Sequence, residues 1–253
     1  MIKSLVGFFV GTLIGMTGVG GGVLLLPILI FGLHVPPLRA VGSDALFNFV
    51  TKIGASAVHL KRGTVRRKVV LALIVGSAPG SYVGVSFLHY LRATRGNGVN
   101  HFITVAVGVL LVIIPGFLFF QKKLEDRAAV RPPTMKSFAW MGVIGLVAGF
   151  LVGITSVGSG SIVMMLLLLF YSFQPKVMVG TDIVHALLLT GVTSLLHFKI
   201  NNNIDPHLVG ALLLGSVPGG LLGSYLSTRV PVPWLRRILC AVLLATGTRM
   251  LMA

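Results

Sequence analysis

The sequence is poor in charged residues, and the few it has are strongly biased toward one sign. Only 10% of its 253 residues are charged, with 21 Lys and Arg against 5 Asp and Glu. Soluble domains carry about 25% charged residues, so this chain has too little polar surface for a soluble globular fold. The basic residues cluster in short loops between apolar runs, as positive-inside topology and anionic lipid headgroups require. We therefore expect contact with membrane lipids and no binding of nucleic acid.

Cysteine is nearly absent as well. The single cysteine, Cys240, excludes an intrachain disulfide and a cysteine-rich metal site, and we predict neither a metal nor a cofactor. The sequence also lacks a nucleotide-binding loop of the Gly-x4-Gly-Lys-Ser/Thr type, so ATP-driven pumping would require another subunit. No short apolar region with a small-residue cleavage site follows Lys3, so we interpret the apolar start as retained rather than as a signal peptide.

Long apolar runs make up most of the chain, and they predict its fold class. A helix needs about 20 residues to cross about 30 Å of hydrocarbon. About eight hydrophobic segments have or approach that length: Ser4–Leu33, Leu38–Leu60, Val69–Leu91, Phe102–Phe120, Phe138–Tyr171, Val177–Phe198, Leu208–Leu226 and Trp234–Met252. The sequence predicts an all-α, polytopic protein of the inner membrane.

The sequence contains two copies of one unit. A shift of 138 residues aligns polar and glycine residues of the two halves, among them Gly22 with Gly160, Asp44 with Asp182, and His59 with His197. After a one-residue insertion, Gly80 aligns with Gly219. Asp and His are rare in membrane segments, so their agreement in one register indicates a duplication. We predict two homologous halves: a first membrane repeat (1–120), a basic cytoplasmic linker (121–136) and a second membrane repeat (137–253).

The first apolar segment of each half is broken at a glycine-rich motif, Gly18–Gly22 and Ser156–Gly160. The apolar stretch after each break has 11 residues, about 16 Å of helix, which is too short to cross alone. Each broken segment is either one kinked crossing, giving parallel repeats, or a re-entrant hairpin, giving inverted repeats. With Arg66–Lys68 in the cytoplasm and Lys52 left out because it lies inside a segment, the first arrangement places 13 basic residues inside and 7 outside, and the second places 14 and 6. We favour the hairpin, because broken backbone at membrane depth must be buried or line a cavity.

Asp44 and Asp182 are candidates for proton coupling or ion pairing, because acidic residues within hydrocarbon are costly and functional by default. The alternative is helix capping, since Ser43 and Thr181 precede them in what resembles a helix start.

Lys52 follows Asp44 by about two helical turns. It is a candidate contact for a substrate anion or for Asp44, and snorkelling toward an interface is the alternative.

Three histidines are further candidates for proton coupling or ion pairing. His59 and His197 end equivalent segments, where anchoring at the membrane interface is the alternative explanation. His185 follows Asp182 by three residues on one helix face, which favours a local hydrogen bond between the two side chains.

The glycine-rich breaks themselves are candidate substrate-binding elements. Short helices beginning there would direct unpaired N–H groups and a positive dipole end toward an anion, and serine hydroxyls add donors in the second half. With Lys52 included, the predicted substrate-binding residues are Gly20, Gly21, Gly22, Lys52, Ser156, Gly158, Ser159, Gly160 and Ser161. The alternative is close helix packing through small residues.

These motifs resemble those of the sulfite exporter TauE/SafE family, also called the 4-toluene sulfonate uptake permease family. The resemblance rests on Gly15–Gly22 with Pro27, Ala40–Asp44, His59 with Gly63–Val65, Gly76–Gly80 and Val179–Ala186, and it covers nearly the whole chain. It implies a multi-spanning inner-membrane protein of about eight helices that moves sulfite, sulfonates or other sulfur-containing organic anions. Ser156 and Ser159 replace glycines of the first-half motif, which leaves the substrate open.

The resulting prediction is a secondary transporter for a small anion, with proton coupling as one option. An anion channel is the nearest alternative, and a membrane assembly factor without a solute path is an alternative of another class. We predict no enzyme. Ser43 and Thr181 stand where a Gly-x-Gly-Asp aspartyl protease needs glycine, and Val157 where a Gly-x-Ser-Gly serine protease needs it. Assembly into a homo-oligomer is left open.

Overall fold

The structure, a computed structural model, describes residues 2–17, 21–127, 135–164, 175–226 and 232–252. Regular structure within these residues is entirely helical, as predicted. The helices are α1 (Ile2–Thr17), α2 (Gly21–Pro27), α3 (Pro37–Lys61), α4 (Arg67–Arg95), α5 (Gly98–Arg127), α6 (Met135–Thr155), α7 (Pro175–Leu196), α8 (Pro206–Leu226) and α9 (Val232–Met252). The π-helical turns Ile28–Gly32 and His197–Asn201 extend α2 and α7. By length and composition, α4 to α8 each contain a span that can cross a membrane.

Prolines begin several helices, because the first turn of a helix needs no N–H donor. Pro37, Pro175 and Pro206 are the first residues of α3, α7 and α8. Asp205 precedes α8, and its Oδ1 accepts a hydrogen bond from the backbone N–H of Leu208 at 3.0 Å. These local signals place the starts of the helices on which the candidate residues lie.

Two glycine-lined interfaces join helices from the two parts of the chain. A Cβ at Gly80 of α4 would overlap the carbonyl oxygen of Leu146 on α6, and a Cβ at Gly219 of α8 would overlap that of Phe8 on α1. Close backbone approach through small residues is a main source of helix association in lipid. The two contacts are related by the sequence shift of 138 to 139 residues that relates the halves.

The order of contacts along each pair gives the direction of the helices. Along α4 and α6, successive glycines meet successive residues of the partner: Gly76 with Gly142, Gly80 with Leu146 and Gly84 with Phe150. Along α4 and α7, Ser77 meets His185 and Ser81 meets Thr193. Both pairs are parallel, so α6 and α7 run in the same direction. A single kinked crossing would make α6 and α7 antiparallel, and their parallel course agrees with a re-entrant hairpin.

Helices at equivalent places in the two halves run antiparallel. Contacts along α3 and α7 include Phe49 with Gly191 and Ser56 with Ile183, and Gly42 of α3 meets Asn203 just beyond the end of α7. The contacts between α5 and α9 are Gly108 with Gly247 and Pro115 with Cys240. Antiparallel equivalents are the geometry of inverted repeats.

The predicted linker is helical at its beginning. α5 continues to Arg127 and so into the range 121–136, and α6 begins at Met135. Residues 128–134 lie outside the described part of the chain, so the linker boundaries stay a prediction.

Candidate functional site

Asp44 and Asp182 lie inside helices rather than at their starts. α3 begins at Pro37 and α7 at Pro175, which places each carboxylate about two turns into its helix. The capping interpretation is therefore wrong, because the prolines start the helices further upstream. Both side chains are buried, with 0% of Asp44 and 6% of Asp182 exposed. Burial of this degree makes unpaired carboxylates costly, so their surroundings decide what they can do.

The carboxylate of Asp44 is bound from both parts of the chain. Its Oδ2 accepts hydrogen bonds from Asn48 Nδ2 at 2.9 Å and from Ser156 Oγ at 2.7 Å, while Oδ1 has no partner within the described residues. Ser156 lies in the second glycine-rich break and has a φ of +56°, a conformation that costs about 1–2 kcal/mol for residues other than glycine. Its hydrogen bond to a carboxylate, worth about 1.5–3 kcal/mol, offsets this strain.

Asn48 connects Asp44 to Lys52. Its Oδ1 accepts a hydrogen bond from Lys52 Nζ at 3.0 Å, and the same ammonium donates to Ser159 Oγ at 3.4 Å. Lys52 therefore reaches from α3 to the second break. Its charge interacts with the charges of both Asp44 and Asp182, yet its hydrogen-bond partners within the described residues are neutral. The ammonium thus keeps the capacity to bind a further anion.

The two breaks meet at the carboxylates. A Cβ at Gly22 would lie 2.7 Å from Asp44 Oδ2, and a Cβ at Gly160 would lie 2.9 Å from Asp182 Oδ2. Each carboxylate therefore packs directly on the glycine backbone of its own half, where a side chain would displace it. The same Cβ position at Gly22 lies 2.9 Å from the carbonyl oxygen of Ser156, so the first break contacts the second.

The second break lies where the sequence predicts it, whereas of the first break only Gly21 and Gly22 are described, and both belong to α2. α1 ends at Thr17 and α2 begins at Gly21, and residues 18–20, including the predicted site residue Gly20, lie outside the described residues. In the second half, α6 ends at Thr155, residues 157–160 form a turn with Gly158 at φ +84°, and residues 161–164 are helical again. The hydroxyl of Ser161 is buried without a partner among the described residues.

His185 does not bind Asp182. It is fully buried, and its Nε2 lies 2.9 Å from the hydroxyl of Ser77 on α4. The expected hydrogen bond between neighbours on one helix face is therefore replaced by a contact between helices. Nδ1 of His185 is buried and has no partner in the described part of the chain.

His197 and His59 differ although their positions are equivalent. His197 is fully buried, its Nε2 donates to the carbonyl oxygen of Gly153 at 3.1 Å, and its Nδ1 lies 3.2 Å from Asn203 Nδ2. Anchoring at the membrane interface is therefore wrong for His197. His59 is only partly buried, and its Nδ1 lies 2.9 Å from Thr64 Oγ1.

Asn48 is a site residue that the sequence reasoning missed. A signal was available, because Asn48 lies four residues after Asp44 and four before Lys52 and so shares their helix face. Its equivalent in the second half is Ala186. Because its equivalent is apolar, Asn48 does not appear among the polar residues that match between the two halves.

Comparison with known proteins identifies the family. The sequence model described as "Sulfite exporter TauE/SafE" matches residues 4–250. The chain belongs to the sulfite exporter TauE/SafE family. "Probable membrane transporter protein YjnA" of Bacillus subtilis is 35% identical over 250 residues, which cover 98% of each chain. "Probable membrane transporter protein YunE" of the same organism is 26% identical over 99% of this chain and 97% of that protein. "Probable membrane transporter protein MJ0441" of Methanocaldococcus jannaschii is 25% identical over 98% of this chain and 94% of that protein. No solved structure matches the chain.

Family membership confirms the predicted resemblance and the predicted multi-pass membrane location. This TauE/SafE protein is a transmembrane transport protein, and its relatives are named as membrane transporters. Their names specify no substrate. The lack of catalytic activity stays a prediction.

Proposed function

We propose that this TauE/SafE protein is a secondary transporter of the inner membrane that carries sulfite, a sulfonate or another small sulfur-containing organic anion. The observation that carries the proposal is the position of Lys52 where the breaks of the two halves meet, with neutral hydrogen-bond partners in the described part of the chain. Sulfur oxoanions spread their charge over several oxygens. An ammonium and neighbouring hydroxyls can bind several of these oxygens through charge-assisted hydrogen bonds.

The binding residues divide into donors and spacers. Lys52, Ser159 and Ser161 are the proposed donors, because their polar atoms face the second break or lack a partner among the described residues. The glycines of the two breaks are the proposed spacers, since they let backbone and ligand approach closely. Ser156 is assigned to Asp44 instead, because its hydroxyl already donates there.

Asp44 and Asp182 are the proposed coupling groups. Both carboxylates interact electrostatically with Lys52, so they compete with a substrate anion for its charge. Binding of a proton to either carboxylate removes one negative charge from the site and strengthens the attraction of Lys52 for the substrate. The proton and the anion are therefore expected to cross together.

We also propose that 1–120 and 137–253 are inverted repeats whose hairpins meet at this site. The antiparallel course of α3 and α7 and the parallel course of α6 and α7 support this arrangement. For that arrangement the basic residues divide 14 to 6. The positive-inside rule then places the loop after α3 in the cytoplasm.

Flux into proteoliposomes tests the proposal. The purified protein is assayed with sulfite, a sulfonate, sulfate and a carboxylate, each with and without a pH gradient. We expect saturable uptake of sulfite or the sulfonate that a proton gradient accelerates, and loss of this acceleration in Asp44→Asn and Asp182→Asn at normal expression. Asp205→Asn is the matched control, because an asparagine still caps α8 and keeps the backbone N–H that Ser43 Oγ accepts. Flux that does not saturate and does not change with the pH gradient would favour a channel. The absence of flux for all of these anions would contradict the proposal.

A further inference from the structure

The two ends of the α3–α7 pair carry matched hydrogen bonds. At end A, where α3 begins and α7 ends, Ser43 Oγ accepts the backbone N–H of Asp205 at 3.1 Å. At end B, where α3 ends and α7 begins, Thr181 Oγ1 accepts the backbone N–H of Arg66 at 3.0 Å. The two accepting hydroxyls are equivalent in sequence, and each belongs to the residue just before a buried carboxylate. Because α3 and α7 are antiparallel, the two ends lie at opposite sides of the helical bundle.

A histidine and a polar partner complete each end. The partner of His197 at end A is Asn203, and the partner of His59 at end B is Thr64. The backbone of an equivalent glycine lies against each polar partner, Gly42 at end A and Gly180 at end B. The two ends are thus built from residues at equivalent positions of the two halves.

The equivalent residues make different hydrogen bonds at the two ends. At end A, Asn203 Nδ2 donates across to the carbonyl oxygen of Leu38 in the first half, at 2.5 Å, and His197 Nε2 donates to Gly153. At end B, Thr64 Oγ1 donates back to the carbonyl oxygen of His59 in its own half, at 3.2 Å. Within the described residues His59 Nε2 makes no hydrogen bond like that of His197. Asn203 therefore makes a hydrogen bond across the halves that its equivalent Thr64 does not make, and His197 makes a second bond that His59 lacks within the described residues, although Ser56 Oγ also donates across the halves near end B, to the carbonyl oxygen of Ile183 at 3.4 Å.

We propose that these two clusters are the gates of the transport path. Gate A is Ser43, His197, Asn203 and the N–H of Asp205; gate B is Thr181, His59, Thr64 and the N–H of Arg66. Inverted repeats can exchange conformations with each other, which gives two states that open toward opposite sides. The structure is the state with gate A closed and gate B less tightly held.

The exchange makes a specific structural prediction. In the opposite state, His59 Nε2 binds the carbonyl oxygen of Gly15, the equivalent of Gly153, and His197 releases Gly153. Ser43 and Thr181 directly precede Asp44 and Asp182, so opening of a gate also moves the neighbouring carboxylate. This inference rests on the proposed transport function, but access to each end can be measured without any flux.

Exchanging the polar partners between the gates tests the inference. Asn203→Thr gives gate A the residue of gate B, and Thr64→Asn gives gate B the residue of gate A. The reporters are single cysteines at Ala40 near end A and Met178 near end B, equivalent positions that are 0% and 3% exposed, placed in a Cys240→Ala background. The rate of alkylation by a small maleimide reports opening at each end of the full chain in membrane vesicles.

We expect Asn203→Thr to raise alkylation at position 40 about 2- to 10-fold, the equivalent of one lost hydrogen bond of about 0.5–1.5 kcal/mol, without a rise at position 178. Thr64→Asn should also raise alkylation at position 40 without a rise at position 178, because it strengthens gate B. Asn97→Thr, in an exposed turn after α4, is the control and should leave both rates unchanged.

A parallel rise at both reporters would indicate general loosening and would overturn the inference, as would unchanged labelling at position 40 in both exchange variants. Anion flux measured on the same vesicles separates the two proposals. Flux with unchanged labelling contradicts the gates alone, and the expected labelling without flux contradicts the transport function alone.

Discussion

At the scale of single residues, the site contains one ammonium and two carboxylates that all lie within reach of the glycine-rich breaks. Lys52 has Thr190 as its equivalent in the second half, so the positive charge is present once while the carboxylate is present twice. This imbalance makes the charge of the site sensitive to a single proton. It also gives one residue, Lys52, the main role in attracting an anion.

Replacement of Lys52 by glutamine should weaken substrate binding. Loss of a hydrogen bond to a charged group costs about 1.5–3 kcal/mol, which corresponds to a rise in KM of about 10- to 100-fold. The measurement is the concentration dependence of anion uptake in proteoliposomes. Lys61→Gln, an exposed lysine at the end of the same helix, should keep the KM of the unmodified protein. Equal KM values for both variants would remove Lys52 from the binding site.

Ser156 allows backbone strain and hydrogen bonding to be separated. Ser156→Ala and Ser156→Gly both remove the hydroxyl that binds Asp44, so both should impair proton-coupled uptake to the same extent. Only glycine relieves the left-handed conformation at φ +56°, so Ser156→Gly should be more stable than Ser156→Ala by about 1 kcal/mol. Thermal unfolding in detergent measures the order of the two Tm values. The reverse order would show that this conformation is not strained.

At the scale of helices, the apolar runs predicted the positions of most helices along the chain well. The sequence predicted the hydrogen-bond partners of the buried polar residues poorly. The run Leu38–Leu60 corresponds to α3, Pro37–Lys61. Helix capping, the alternative considered for Asp44, was suggested by the resemblance of Gly42–Ser43 to a cap, and it is wrong because Pro37 starts the helix upstream. The contact of Ser156 with Asp44 joins residues 112 positions apart. Local patterns carry no information on such a pair, since packing between helices decides it.

The glycine-lined interfaces predict unequal effects for two similar substitutions. A Cβ at Gly80 would overlap the backbone of α6, whereas a Cβ at Gly142, on the same pair of helices, would meet its nearest atom at 3.8 Å. Gly80→Ala should therefore force α4 and α6 apart and destabilise the protein by about 1–3 kcal/mol. Gly142→Ala should be neutral or stabilising by about 0.5–1 kcal/mol, because alanine favours the helix. Tm values in detergent check both, and a similar loss in the two variants would contradict the close approach at Gly80.

At the scale of the whole molecule, helix direction separates arrangements that the sequence left nearly equal. Positive-inside counts differ by one basic residue between the kinked-crossing and hairpin arrangements, which is too little to decide. Contacts such as Ser77 with His185 and Ser81 with Thr193 show which helices are parallel. This information lies in pairs of residues far apart in the chain, so no count of charges in loops can supply it.

The side of the membrane on which α8 begins distinguishes the two arrangements experimentally. His207, exposed in the first turn of α8, lies at the same end of the bundle as the turn after α4, because Arg92 of α4 donates to the carbonyl oxygen of Asn201 at 3.0 Å. In the hairpin arrangement, His207→Cys should react with a membrane-impermeant thiol reagent from the same side as Asn97→Cys, and from the side opposite to Lys61→Cys, all in a Cys240→Ala background. The kinked arrangement instead places positions 207 and 61 on one side. Labelling of intact cells against inverted vesicles reads out the side of each cysteine, and the positive-inside rule predicts that position 61 reacts from the cytoplasm.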